Sequence, residues 1–299
     1  MDAVSFLQVG SAMLLNAGFA WLVGSWFARC WMRASGGDRN RFEPALRKLD
    51  LWASGLSALS STLALLVATA VMGGVGLREA CPMFWMMVSN TDYGHAGTLA
   101  VMAMSVVFLI RLVGSTRRTL DAVALLALAI FAVTRASMGH AGEEGLWTLT
   151  LAAEAIHFSA IGVWTGAVLV SAWYALQTSA IGFLGTHSTN RYLDLMSRAA
   201  MAAVIAIVIT GVYSGWHRVG TPDHLAHTSY GITLLVKVVL VLAAIALGGY
   251  NKYFGLPAAS RSVAGVSLAR TVLQVESFVL LAVLLAAAIL TAQQPPAAM

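Results

Sequence analysis

The run LWTLTLAAEAIHFSAIGVWTGAVLVSAWYALQ, Leu146–Gln177, decides the fold. Glu154 is its only Asp, Glu, Lys or Arg. A stretch of more than ~20 apolar residues is long enough to cross a hydrocarbon core of ~30 Å as a helix. Seven more stretches of this kind lie on either side: Phe6–Trp31, Leu49–Val75, Ala96–Val113, Leu120–Ser137, Ser197–Trp216, Tyr230–Tyr250 and Thr271–Thr291. The sequence therefore predicts an all-α polytopic membrane bundle of eight transmembrane helices. Composition agrees, with 59% hydrophobic and 10% charged residues, against ~25% charged in a soluble domain.

The cations between the stretches set the orientation. Fourteen of the 18 Lys and Arg residues fall in gaps one, three, five and seven. Gaps two, four and six hold only Arg78, Arg135 and Arg218. Positive loops stay cytoplasmic, so both termini are expected on the periplasmic side. The basic pI near 9.5 is then a matter of orientation, and nucleic acid is not an expected partner; the lipid bilayer is. Met1-Asp2 and the long apolar run behind it predict a first span rather than a cleaved leader. Cys30 and Cys81 fall at opposite faces, which disfavours a disulfide between them.

Thr91-Asp92-Tyr93-Gly94 introduces span three, and Thr228-Ser229-Tyr230-Gly231 introduces span seven, 137 positions later. Two readings stay open. The chain is either two parallel four-helix repeats, with a site between the halves, or it uses one interfacial turn twice. The halves are 1–134 and 135–299. The segment Cys81–Val88, too short to span, is expected to lie along the outer leaflet with Phe84 and Trp85 as anchors.

Six of the seven histidines fall in the outer half: His95, His140, His157, His217, His224 and His227. Met72, Met83, Met86, Met87 and Met138 share that side. Imidazole and thioether together suit copper, as Cu(I) or Cu(II), better than zinc, which usually recruits carboxylate or thiolate. Solvated loop histidines and packing methionines are the plain alternative.

Ionisable residues within the membrane are the sharper signal, since each costs several kcal/mol unless paired or hydrated. Glu154 and His157 stand i and i+3 on one helix face, and Lys237 lies at similar depth in span seven. A structural ion pair and an ion-accepting notch both fit. Glu154 could hold the tautomer of His157. Gly162, Gly166 and Ala167 offer another span a surface for close approach. Glu276, near Arg270, is expected to snorkel or to form a local salt bridge.

Gly139-His140-Ala141, then Glu154-Ala155-Ile156-His157-Phe158 running into Val163-Trp164-Thr165-Gly166, resembles the CopD/PcoD copper-resistance membrane proteins. Ser197-Arg198, Thr210-Gly211, Tyr230-Gly231, Leu235-Val236-Lys237 and Asn251-Lys252 continue the likeness over residues 135–292. Thr165 departs from the pattern, where Gly is common. The resemblance implies an eight-span inner-membrane protein that handles copper, often beside a periplasmic CopC-type copper-binding protein, and suggests uptake.

On this reading His140 and His157 are core copper ligands. His217, His95, His224 and His227 capture ions at the rim, Met83, Met86 and Met87 form a looser collecting surface, and Glu154 with Lys237 sets the charge of the entry. The protein is expected to be a carrier rather than an enzyme. No nucleotide-binding loop is apparent, so movement would run on gradients or on exchange between carriers. A membrane b-type cytochrome with His-ligated haem is the rival, and it requires two buried histidines at matched depth. A structural membrane subunit is the third reading.

Overall fold

The computed structural model describes residues 3–36, 39–114, 117–139, 142, 145, 147–219 and 222–293. Among them, eight helices are long and apolar enough to cross a membrane. They are α1 (Ala3–Ala34), α2 (Arg39–Gly73), α4 (Asp92–Val113), α5 (Arg118–Ser137), α6 (Leu149–Val170), α7 (Thr178–Val219), α9 (Ser229–Tyr250) and α11 (Val263–Thr291). Short helices α3 (Leu77–Asn90), α8 (Pro222–His227) and α10 (Leu256–Ala259) lie between them. Turns of π type at Ser171–Ala175 and Asn251–Gly255 extend α6 and α9. Span eight begins at Val263, earlier than the apolar run alone suggested, and Glu276 therefore sits near mid-helix.

Side-chain hydroxyls start several spans. Thr91, Thr148, Thr228 and Ser262 accept from the backbone amides of Gly94, Leu151, Gly231 and Gly265, relieving donors that a membrane would leave unpaired. The two Thr-x-Tyr-Gly turns share more than letters. Thr91 also donates to the Met87 carbonyl at 2.7 Å, and Thr228 to that of His224 at 2.6 Å. A Cβ on Gly94 would strike the Met87 carbonyl oxygen, and one on Gly231 that of Leu225. Each turn thus docks a short helix, α3 or α8, against the start of a span through glycine.

At the centre, α1 packs on α2, α5, α6, α7 and α11. It crosses α6 with backbone against backbone: a Cβ on Gly166 would overlap the Ala20 carbonyl and Gly24, and one on Gly24 would overlap Gly166. Phe19 fills the space over Gly162 and stacks on Phe158 at 4.7 Å. The small-residue face read from the sequence meets span one. Lipid gives no hydrophobic drive between helices, so such close approach carries much of the association. Gly166→Ala is expected to cost about 1–3 kcal/mol, as overpacking does. Gly249→Ala, with nothing within 4 Å, should be neutral or slightly stabilising. Thermal unfolding of the two variants in detergent checks the contrast.

At the arginine-rich end, charges from four spans converge. Asp50 is fully buried. It accepts from Trp21 Nε1 at 3.0 Å and Ser25 at 2.8 Å, lies 2.8 Å from Arg29 and 3.3 Å from Arg111. Arg29 also holds Glu43 at 2.9 Å. Asp121 binds Arg33 at 2.6 Å and lies 3.4 Å from Arg111. This network ties α1, α2, α4 and α5 together. Cation spacing read as orientation alone did not reveal it.

Candidate functional site

At the opposite end, where the histidines lie, a cavity of ≈ 350 Å³ opens among all eight spans. Its walls include Tyr93 of α4, Arg135 of α5, Glu154 and His157 of α6, Arg218 of α7, and Tyr230 and Lys237 of α9. Both Thr-x-Tyr-Gly turns therefore deliver a tyrosine to one space.

The i and i+3 spacing brings Glu154 and His157 to this common face. The partner of Glu154 is Arg218, which donates to its Oε2 at 2.7 Å. Lys237 of α9, matched to Glu154 in depth, lines the same cavity and acts on the carboxylate at longer range. Arg218 is the closer partner for a packing reason: α6 lies against α7, whereas α9 packs mainly on α11 and α8. Arg218 closes span six, and by sequence it counted only as a loop cation. Among the described residues, Lys237 has no hydrogen bond or close ion pair, and it meets Glu154 only at longer range.

His157 is held by Thr210, not by Glu154. Its Nδ1 lies 2.9 Å from Thr210 Oγ1, and that hydroxyl donates its only proton to the Ala206 carbonyl at 2.6 Å. Thr210 must then accept from Nδ1–H, which leaves the lone pair of His157 on Nε2. A hydrogen-bonded Nδ1 with a bare Nε2 is the arrangement of a metal-ligating imidazole. The thioethers of Met72 and Met138 line the same cavity.

The remaining candidates are spread around this end. His95 Nε2 bonds the Ser89 carbonyl at 3.0 Å. His217 bonds the Tyr213 carbonyl at 2.9 Å and packs on that ring at 4.3 Å. His224 bonds the Val219 carbonyl, and His227 pairs with Asp223 at 3.1 Å. On α3, Met86 is 57% exposed, Met87 is buried, and Met83 lies against Gly73. His140 falls outside the described residues. Among the described residues, no three His, Cys, Asp or Glu side chains group as a metal cluster. Among the described residues that line the cavity, His157 is the one histidine.

Glu276 neither snorkels nor forms a salt bridge. It is 1% exposed, accepts from Trp164 Nε1 at 2.9 Å, and leaves Oε2 without a partner. The longer span eight places it too deep to reach either surface.

Residues 1–150 match the family described as copper resistance protein D-like, N-terminal domain, and residues 189–290 match copper resistance protein D. The likeness thus extends to the first four spans. Copper resistance protein D of Pseudomonas syringae pv. tomato is 27% identical over 228 residues, 74% of this chain and 72% of that protein. Inner membrane protein YebZ of Escherichia coli (strain K12) is 27% identical over 257 residues, 85% of this chain and 84% of that protein. No solved structure matches.

Proposed function

The chain belongs to the copper resistance protein D family, and from that premise we propose that it carries copper across the bacterial inner membrane toward the cytoplasm. The arginine-rich end is cytoplasmic in this reading, and both termini and the cavity face the periplasm. Copper is the cargo, and no covalent chemistry is required of the protein.

One observation carries the proposal: Thr210 engages Nδ1 of His157, which leaves Nε2 for a ligand, and Met72 and Met138 line the same cavity. Imidazole and thioether bind copper in either oxidation state, with thioether favouring Cu(I). His140, which follows Gly139 in the sequence, serves as the second core ligand. His95, His217, His224 and His227 form a collecting rim around the mouth. A periplasmic copper-binding protein of the CopC type is the proposed donor, with Met83, Met86 and Met87 on α3 as its landing surface.

Thr210→Val keeps the volume of Thr210 and removes its acceptor. With Nδ1 unheld, copper affinity is expected to fall ~10–100-fold, the usual effect of losing the partner that orients a ligating histidine. Titration of the purified protein with a competing copper chelator measures the change. Unchanged affinity would remove Thr210 as the partner that orients a ligating His157.

A further inference from the structure

We propose that the cavity also binds a small organic carboxylate, seated on Lys237 and Arg135. The inference goes beyond the copper reading, because it follows from the cavity's cations and not from its imidazole.

Three cations, Arg135, Arg218 and Lys237, line the cavity against one described carboxylate, Glu154. Arg218 and Glu154 neutralise one another at 2.7 Å. Lys237 shares Glu154 with Arg218 only at longer range, and lies about 12 Å along α9 from its start at Ser229, at 1.5 Å per residue. Arg135 carries a buried Nε with no hydrogen-bond partner. Arg135 stands in the last turn of α5, nearer the rim, while Lys237 lies deeper, where a cation costs several kcal/mol unless paired or hydrated. Both line the cavity, so with Arg218 paired to Glu154 its lining carries an excess of positive charge that an anion placed there would offset.

The lining selects the class of anion. Phe131, Phe158, Leu15 and Val71 form apolar wall beside the charged groups. A bare inorganic ion would leave that wall and most of the ≈ 350 Å³ unused. The volume sits at the small end of organic-ligand pockets, which run ~300–1,000 Å³. Guanidinium and ammonium donors in the wall of a partly apolar space suit a carboxylate with a short hydrocarbon body. The ligand is thus a water-soluble carboxylic acid in its ionised form.

The test uses purified full-length protein freed of copper with chelator, titrated with butyrate and with its neutral isostere butyramide. Butyrate is expected to bind saturably, and butyramide at least about ten-fold more weakly, the worth of a hydrogen bond to a charged group. Lys237→Gln should lose a similar factor, and Lys237→Arg should retain binding. Equal binding of butyrate and butyramide, no binding of either to the wild type, or wild-type affinity in Lys237→Gln overturns the proposal. The amide comparison needs no variant, so a misfolded mutant does not obscure the result. With copper absent throughout, failure of anion binding and failure of copper carriage are read separately.

Discussion

Asp50→Ala is expected to cost about 3–5 kcal/mol, the largest stability loss from any single side chain described above. Asp50 is fully buried and serves two arginines, an indole and a hydroxyl at once. Its removal leaves Arg29 and Arg111 enclosed with one counter-charge fewer, and Trp21 Nε1 without its acceptor. The residual charge is what destabilises; replacing an entire buried pair by apolar groups is often neutral. A second variant separates these causes. Asp50→Asn keeps the shape and an acceptor for Trp21 but not the charge, and its loss should lie between wild type and Asp50→Ala. Loss of monodisperse protein during a thermal ramp in detergent provides the readout. Equal melting of all three proteins would mean that the network carries no stability.

His157→Ala should have the largest functional effect. Thr210 only orients the imidazole, and its loss is expected to weaken copper ~10–100-fold; removing the ligating nitrogen should exceed that. Copper per chain is therefore expected to drop below about a tenth of the wild-type value under conditions that saturate the wild type. His157 packs beside Gly211, with Cε1 3.3 Å from where a Cβ would stand, so His157→Ala opens a small gap without breaking an ion pair. Elution volume should be unchanged. The same samples should show no Soret band, which a His-ligated haem would give.

The bundle was readable because the bilayer imposes so few solutions. Long apolar runs must become helices, since no other open structure satisfies the backbone in hydrocarbon. The eight runs read from residues 6–291 reappear as the eight spans, with longer ends where polar helix continues past the apolar stretch, as in α2 from Arg39. The close face at Gly162 and Gly166 was legible for a similar reason: small residues at helical spacing have few other uses in a membrane.

Partner choice was not legible. Glu154 and Lys237 match in depth and share the cavity, yet depth does not say which helix supplies the close partner, and that helix is α7 with Arg218. Thr210 gave no signal as the partner of His157, because a lone threonine in a span most often bonds its own helix, as Thr69 does with Leu65. The arginines of the first and third gaps were read as loop charge. Asp50 and Asp121 lie beside them in sequence, and acids at the head of spans two and four were the available sign of a tied end. For Glu276, the misplaced start of span eight made a deep carboxyl look shallow.

Copper accumulated by intact cells tests carriage through the cavity most directly. Cells producing the wild-type chain, the His157→Ala chain or no chain are exposed to a fixed external copper concentration, and cytoplasmic copper is measured over time. Accumulation above the no-chain level is expected only for the wild type, with membrane content of the two chains equal. Accumulation at the no-chain level or below it in wild-type cells, or equal accumulation with His157→Ala, would contradict copper entry by way of this site.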